Sequence, residues 1–311
     1  MTKLGKALEE YLAVRRALGV DLRLAGRLLH RFVGFMEEQG ASFIMTKLAL
    51  QWATEPKDAQ PAQWANRLGM VRRFAEYLSA TDPRTEIPAS EILPYRYYRK
   101  PPYIYTDAEI SNLIGAVGRL PSPKDFRAYT HSTLFALLAV TGMRISEPLG
   151  LDRDDVDLKR GVLTVRQTKF DKSRLIPVHA STNEKIRAYA RRRDKVFPNP
   201  KSRSFFLSER GTRPTEWTVR RWFVIASRQI GLRGPKDSRG PRLHDLRHGF
   251  AIKTLLNWYR TGADVDQLMP VLTTYLGHGH LADTYWYISA TPELLEQATR
   301  RLEESKGRLS Q

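Results

Sequence analysis

Leu4, Ala7, Leu8, Tyr11 and Leu12 recur at intervals of three and four residues, and Leu24, Leu28, Phe32, Phe35 and Met36 repeat the pattern in the next segment. Such spacing lines apolar side chains along one face of a helix, so two amphipathic helices are predicted. A third is expected after Thr46, carrying Leu48 and Trp52. A fourth is opened by Pro61, in the first turn where a missing N–H does no harm, and runs through Trp64, Leu68, Val71, Ala75 and Leu78. Together they make a small helical bundle over residues 1–83. Pro83, Pro88, Pro94, Pro101 and Pro102 then forbid a long helix. With Arg96, Arg99 and Lys100 among them, residues 84–103 read as a basic linker.

A second domain is expected from residue 104. Thr106 and Glu109 have the T-x-x-E form of a capping box, opening a helix through Ile110, Leu113, Ile114 and Val117. After another helix ending at Gly142, the pattern between Val156 and Val178 changes to β chemistry: VLTVRQ, a polar turn TKFDKS, then RLIPV. A β-hairpin is predicted there. Helical spacing resumes over about 181–193, 215–230, 244–260, 264–276 and 281–289. Beyond it, Thr291 and Pro292 suit the start of a last helix whose apolar stripe is Leu294, Leu295, Ala298 and Leu302. The expected class is mainly α with a small β-sheet, divided into 1–83, 84–103, 104–290 and a C-terminal helix over 291–311.

Charge changes the picture more than composition does. Fifty-one Lys and Arg against 33 Asp and Glu leave +18 over 311 residues, a balance that favours a polyanionic partner through counterion release. Residues 1–102 hold 16 basic and 11 acidic side chains (+5), leaving 35 and 22 (+13) for the rest, so both parts are basic. The chain has no cysteine, which excludes disulfides, zinc–thiolate sites and thiol catalysis. The first residues alternate charge with apolar positions and no run approaches a membrane span, so a soluble cytoplasmic, nucleoid-associated protein with no membrane partner is expected.

Four segments carry candidate chemistry: TGMRISEPLGL at 141–151, TKFDKSR at 168–174, HDLRHGFA at 244–251 and LGHGHLADTYWYI at 276–288. Singly each is a weak signal, since Arg144, Lys169, His244, His278 or Tyr287 alone is more often an ordinary surface or core residue. In this order they resemble the tyrosine recombinase or phage integrase family, over the whole second domain and more loosely over the helical N-terminal region. The resemblance implies catalytic roles for Arg144, Lys169, His244, Arg247, His278 and Tyr287. It also implies a SAM-like core-binding fold for the N-terminal bundle. Three positions depart from the common pattern: Met143, Phe170 and Pro148, the last set to interrupt the short helix after Arg144. The ending TYWYISATPEL is most similar to transposon-encoded members, including transposases and recombinase-in-trio proteins.

Elementary chemistry reaches the same residues. Attack on a phosphodiester builds negative charge on the non-bridging oxygens, which fixed cations stabilise more in the transition state than in the ground state. A guanidinium stays charged and can bond two phosphate oxygens at once, so Arg144 and Arg247 suit a clamp. His244, three residues before Arg247, shares its helix face. A phenol with a pKa of about 10 needs nearby cations to become a nucleophile. Tyr285 competes with Tyr287, but residues two apart on a helix point to opposite sides, and the nine-residue spacing from His278 favours Tyr287. Lys169, in the hairpin turn, is the expected general acid. Lys172 and Arg174 are expected phosphate contacts, as are Arg96, Arg99 and Lys100 in the linker, whereas His248 and His280 read as structural or as supports behind the catalytic residues.

The function expected is site-specific breaking and rejoining of double-stranded DNA through a 3′-phosphotyrosine, with no nucleotide or metal cofactor. By the resemblance, the protein acts as a homotetramer on two paired sites, being a monomer or dimer when free, with accessory recombinases as further partners. Two alternatives stay open at this point: relaxation of DNA in the manner of a type IB topoisomerase, and a DNA-binding accessory factor without catalysis.

Overall fold

Four helices build the first of two compact units, Met1–Lys100: α1 (Lys3–Ala17), α2 (Arg23–Glu38), α3 (Thr46–Thr54) and α4 (Pro61–Ser79). The computed structural model describes residues 2–20, 22–95, 101–122, 125–166, 173–289 and 291–309, without the side chains of 302 and 304–309. Leu8, Leu12, Phe32, Met36, Trp52 and Phe74 form the bundle's core, with Phe32 set edge-on to Trp52 at 5.3 Å. The buried face of α2 differs from the expected stripe. It comprises Gly26, Leu29, Phe32, Val33 and Met36, while Leu24 is exposed, because α1 approaches at Gly26, where Leu12 meets no side chain.

Residues 84–89, expected as linker, are tied to the bundle. Arg72 donates to the carbonyls of Pro88 and Ala89, both at 2.7 Å. The Glu86 amide donates to Ile44, and the Glu86 carboxylate accepts from the Thr46 amide at 2.7 Å. The Arg72 guanidinium thus holds backbone carbonyls of this segment, which the proline pattern alone could not show. Arg96, Arg99 and Lys100 lie outside the described residues.

The second unit, Pro101–Gln311, is entered through Tyr105, a buried ring whose hydroxyl donates to the Arg242 carbonyl. The capping box of Thr106 and Glu109 is present in both directions and starts α5 (Asp107–Gly118). There follow α6 (Phe126–Thr141), α7 (Ser146–Gly150), β1 (Val156–Asp157), β2 (Val162–Val165), β3 (Arg174–Pro177), α8 (Ala180–Val196) and α9 (Glu216–Gln229). Then come α10 (Asp245–Arg260), α11 (Val265–Leu276), α12 (Ala282–Tyr285), a 3-10 turn (Trp286–Ser289) and α13 (Pro292–Leu309). The fold is therefore mainly α with a small sheet. Pro148 does not interrupt α7: it falls in the first turn, where backbone N–H groups have no intrahelical partner.

The sheet has order β1-β2-β3, antiparallel throughout, with Leu163 opposite Ile176 and Val165 opposite Arg174. The two-residue β1 is too short to show as an alternation, so only the hairpin was legible. One core gathers α5, α6, the sheet, α8 and α9 around Phe126, Phe135, Tyr189, Phe206 and Phe223. A second joins α10 and α11 to the C-terminal segment through Ile252, Leu255, Met269, Leu272, Tyr287 and Leu294. Among the described residues, Arg144, His244, Arg247, His278 and Tyr287 collect where these two cores meet.

Candidate active site

Two helix ends create the floor of the site. α6 and α11 both stop at glycines in the left-handed region, Gly142 with φ 61° and Gly277 with φ 69°. A Cβ on Gly142 would stand 2.6 Å from the Phe250 ring and one on Gly277 would stand 2.7 Å from the Arg174 guanidinium. Neither end has room for a side chain. The last carbonyls of a helix carry its partial negative charge, so they attract cations. Arg247 on α10 donates to Gly142 at 2.8 Å and to Leu276 at 2.8 Å. Arg144, just past the α6 end, donates to Gly277 at 2.9 Å. Arg247 is thereby aimed by the ends of both helices, and Arg144 by the end of α11.

Glu147, on α7, is buried beneath them. Its carboxylate accepts from the Arg144 amide at 2.8 Å and from the Arg144 side chain at 3.1 Å. It also takes a two-pronged contact from Arg174 at 3.1 and 2.8 Å. Burial by itself would raise the carboxyl's pKa, but Arg174, the Arg144 amide and Arg247 outweigh it and hold the group below its ordinary range. The side chain of Arg174 is 9% exposed, and its Nε donates to the Tyr275 carbonyl. Arg174 was expected on a phosphate and instead braces Glu147. The cause is strand alternation: Arg174 shares a face with the buried Ile176, while Leu175 between them is 65% exposed.

Arg247 is 2% exposed, and this burial, with Arg144 beside it, lowers its pKa to about 10, so it remains charged at neutral pH. His244 caps the start of α10. Its surface is open to solvent on one side, yet the packing behind it withdraws enough water to disfavour the cation, and Arg247, Arg242 and Arg144 add repulsion. Its pKa is pushed down to about 4, leaving a neutral imidazole at pH 7. His278 follows Gly277, and its Nδ1 lies 2.7 Å from the hydroxyl of the buried Thr284, which is 2.8 Å from that of Thr273.

Tyr287 and Tyr285 diverge as expected for neighbours two apart: Tyr287 is 2% exposed and Tyr285 is 39% exposed. The Tyr287 ring stacks on His278 with centroids 6.1 Å apart, and its hydroxyl lies 3.2 Å from Nδ1 of His248. The phenol lies within electrostatic reach of Arg247. Arg144, His244, Arg247, His278 and Tyr287 thus come together from three of the four segments. Lys169 and Lys172 lie outside the described residues. Among the described residues no group of three or more His, Asp or Glu side chains has the arrangement of a metal site.

Residues 105–293 match the model of the phage integrase family, an interval that spans all six candidates. The chain belongs to the phage integrase family. Among its relatives, a Sinorhizobium fredii chain named as an integrase/recombinase, y4rB, is 47% identical over 97% of this chain and 98% of its own. The tyrosine recombinase XerD of Vibrio cholerae is 28% identical over 79% and 76%. In fold, the integrase of transposon Tn1549, solved in complex with transposon right end DNA, superposes with a TM-score of 0.64 at 16% identity, covering 98% of this chain and 99% of that one.

Two residues of this phage integrase family member were missed in the sequence. Glu147 stood in the SE pair after Arg144, and its spacing of three was a visible signal for an ion pair. His248, four residues after His244 on the same helix face, was expected as a structural or supporting residue, and its contact with the Tyr287 hydroxyl was not foreseen.

Proposed function

We propose that this chain is a site-specific DNA recombinase that breaks and rejoins double-stranded DNA through a covalent 3′-phosphotyrosine on Tyr287. One observation carries this reading: Arg144 and Arg247 converge on the carbonyls at the end of α11, where Arg247 also bonds the end of α6, beside the Tyr287 phenol. That arrangement suits a phosphate with developing charge. Tyr287 attacks phosphorus, Arg144 and Arg247 bind the non-bridging oxygens, and His278 and the neutral His244 add N–H donors. Lys169, by family resemblance, protonates the departing 5′ oxygen. Because the phosphotyrosine retains the bond energy, a 5′ hydroxyl from a second strand reverses the chemistry without ATP.

The relatives' names support recombination, and the transposon integrase's fold supports a mobile-element role. The partner is DNA, gripped by both basic units, with a homotetramer on two paired sites as the working assembly and α13 as its linking element. Incubation with a nicked duplex built from the DNA flanking its own gene tests the reading. Tyr287→Phe should abolish the covalent adduct and keep DNA binding, whereas Tyr285→Phe should retain the adduct. An adduct mapped to Tyr285 would refute the nucleophile. Relaxation of supercoils without exchange between two duplexes would instead indicate a topoisomerase, and binding with no adduct an accessory factor.

A further inference from the structure

We propose that His248 is the proton acceptor for the Tyr287 hydroxyl, a step that rests on Tyr287 being the nucleophile. The phenol is buried among Leu294, Met269 and Leu272, where its hydroxyl needs a polar partner, and Nδ1 of His248 lies 3.2 Å away. An amide or hydroxyl would satisfy that need as well. An imidazole adds a lone pair basic enough to take the proton near neutral pH.

The ring is also held for the task. His248 follows Arg247 directly on α10, so the acceptor and the phosphate clamp are fixed on one rigid element. His244 meets the His248 ring edge-on at 4.8 Å and Trp286 does so at 5.6 Å, setting its plane. The other imidazoles are less suited. His278 lies at 23° to the phenol and offers its face, and His244, with its pKa near 4, is a weak base.

The step balances as follows. The Tyr287 O–H bond breaks, its proton moves to Nδ1 of a His248 whose other nitrogen already carries hydrogen, and the phenolic oxygen bonds to phosphorus. The P–O5′ bond breaks, and the 5′ oxygen leaves with a proton from the general acid. On rejoining, the imidazolium returns its proton to the phenol.

Single-turnover cleavage of the nicked duplex by the full chain tests the assignment, using His248→Ala, His248→Asn and Lys169→Ala. The Asn side chain puts an oxygen where Nδ1 stands, so it keeps a hydrogen-bond acceptor but cannot take a proton at neutral pH. Both His248 variants should bind the duplex as the wild type does and form the adduct on the order of 10²-fold more slowly. Added imidazole should restore part of the rate to His248→Ala. A duplex with sulfur at the 5′ bridging position, whose leaving group needs no proton, should rescue Lys169→Ala and neither His248 variant. Adduct formation by His248→Asn within about threefold of the wild-type rate would overturn the proposal. So would rescue of the His248 variants by the sulfur-bridged duplex. If the wild type itself forms no adduct, the reading of Tyr287 as nucleophile fails first, and this inference with it.

Discussion

At the scale of single residues, the site depends on groups whose charge is decided by their surroundings. His244 resists protonation in the folded protein to about pH 4, whereas an unfolded histidine takes its proton near 6.5. The unfolded state therefore binds more protons between those values, and His244 makes stability fall as pH drops through that window. The Glu147 carboxylate acts in the same direction, since its pKa is held below the usual carboxylate value and its contribution is lost in acid. An NMR titration of the His244 ring should give a midpoint near 4, and a midpoint near 6.5 would contradict the crowding argument. Glu147→Gln keeps the shape but leaves Arg144 and Arg174 without their buried counter-charge. It should cost about 3 kcal/mol in denaturant unfolding, with slower DNA cleavage.

At the scale of elements, helix ends do what individual side chains cannot. The C-termini of α6 and α11 supply three carbonyls, those of Gly142, Leu276 and Gly277, to Arg144 and Arg247. The chain must therefore turn left-handed at two defined places. Gly142→Ala should cost about 1 to 2 kcal/mol for the backbone conformation, and more because Phe250 must move. Its thermal unfolding should drop accordingly, and its cleavage rate should fall because the Arg247 acceptor shifts. An unchanged rate would show that Arg247 does not need that carbonyl.

At the scale of the whole molecule, the last helix changes meaning between sequence and structure. Its stripe of Leu294, Leu295, Ala298 and Leu302 suits an assembly element docking on a neighbouring protomer, as the family resemblance implies. Leu294 is in fact fully buried in the core that holds Tyr287, and α13 is tied back at its start by Arg260 to Glu293 and farther along by Arg301 to the Ala263 carbonyl. Leu295 remains 54% exposed. Removing the whole helix would thus open the core around Tyr287 as well as any interface. Leu295→Glu is the cleaner probe: single-site binding should persist in a gel-shift assay while complexes joining two sites are lost. Equal assembly by the variant would argue against α13 as the linking element.

Much of this was legible in the chain itself. Helical spacing located α1 to α4, T-x-x-E opened α5, and a change from a period of about 3.6 to a period of 2 revealed the β2–β3 hairpin, because each element buries a face whose repeat follows from backbone geometry. Arg144, Lys169, His244, Arg247, His278 and Tyr287 were nameable from residue type and order, since phosphoryl chemistry needs cations and a nucleophile. The tertiary structure alone decided how five of them meet. It turned Arg174 from the surface to Glu147, drew residues 84–89 onto Arg72, and set His248 against the Tyr287 hydroxyl. The physical reason is common to all three. A polar group's partner is chosen by which acceptors or donors packing brings within about 3 Å after burial, and that distance is a property of the folded chain rather than of neighbours along it.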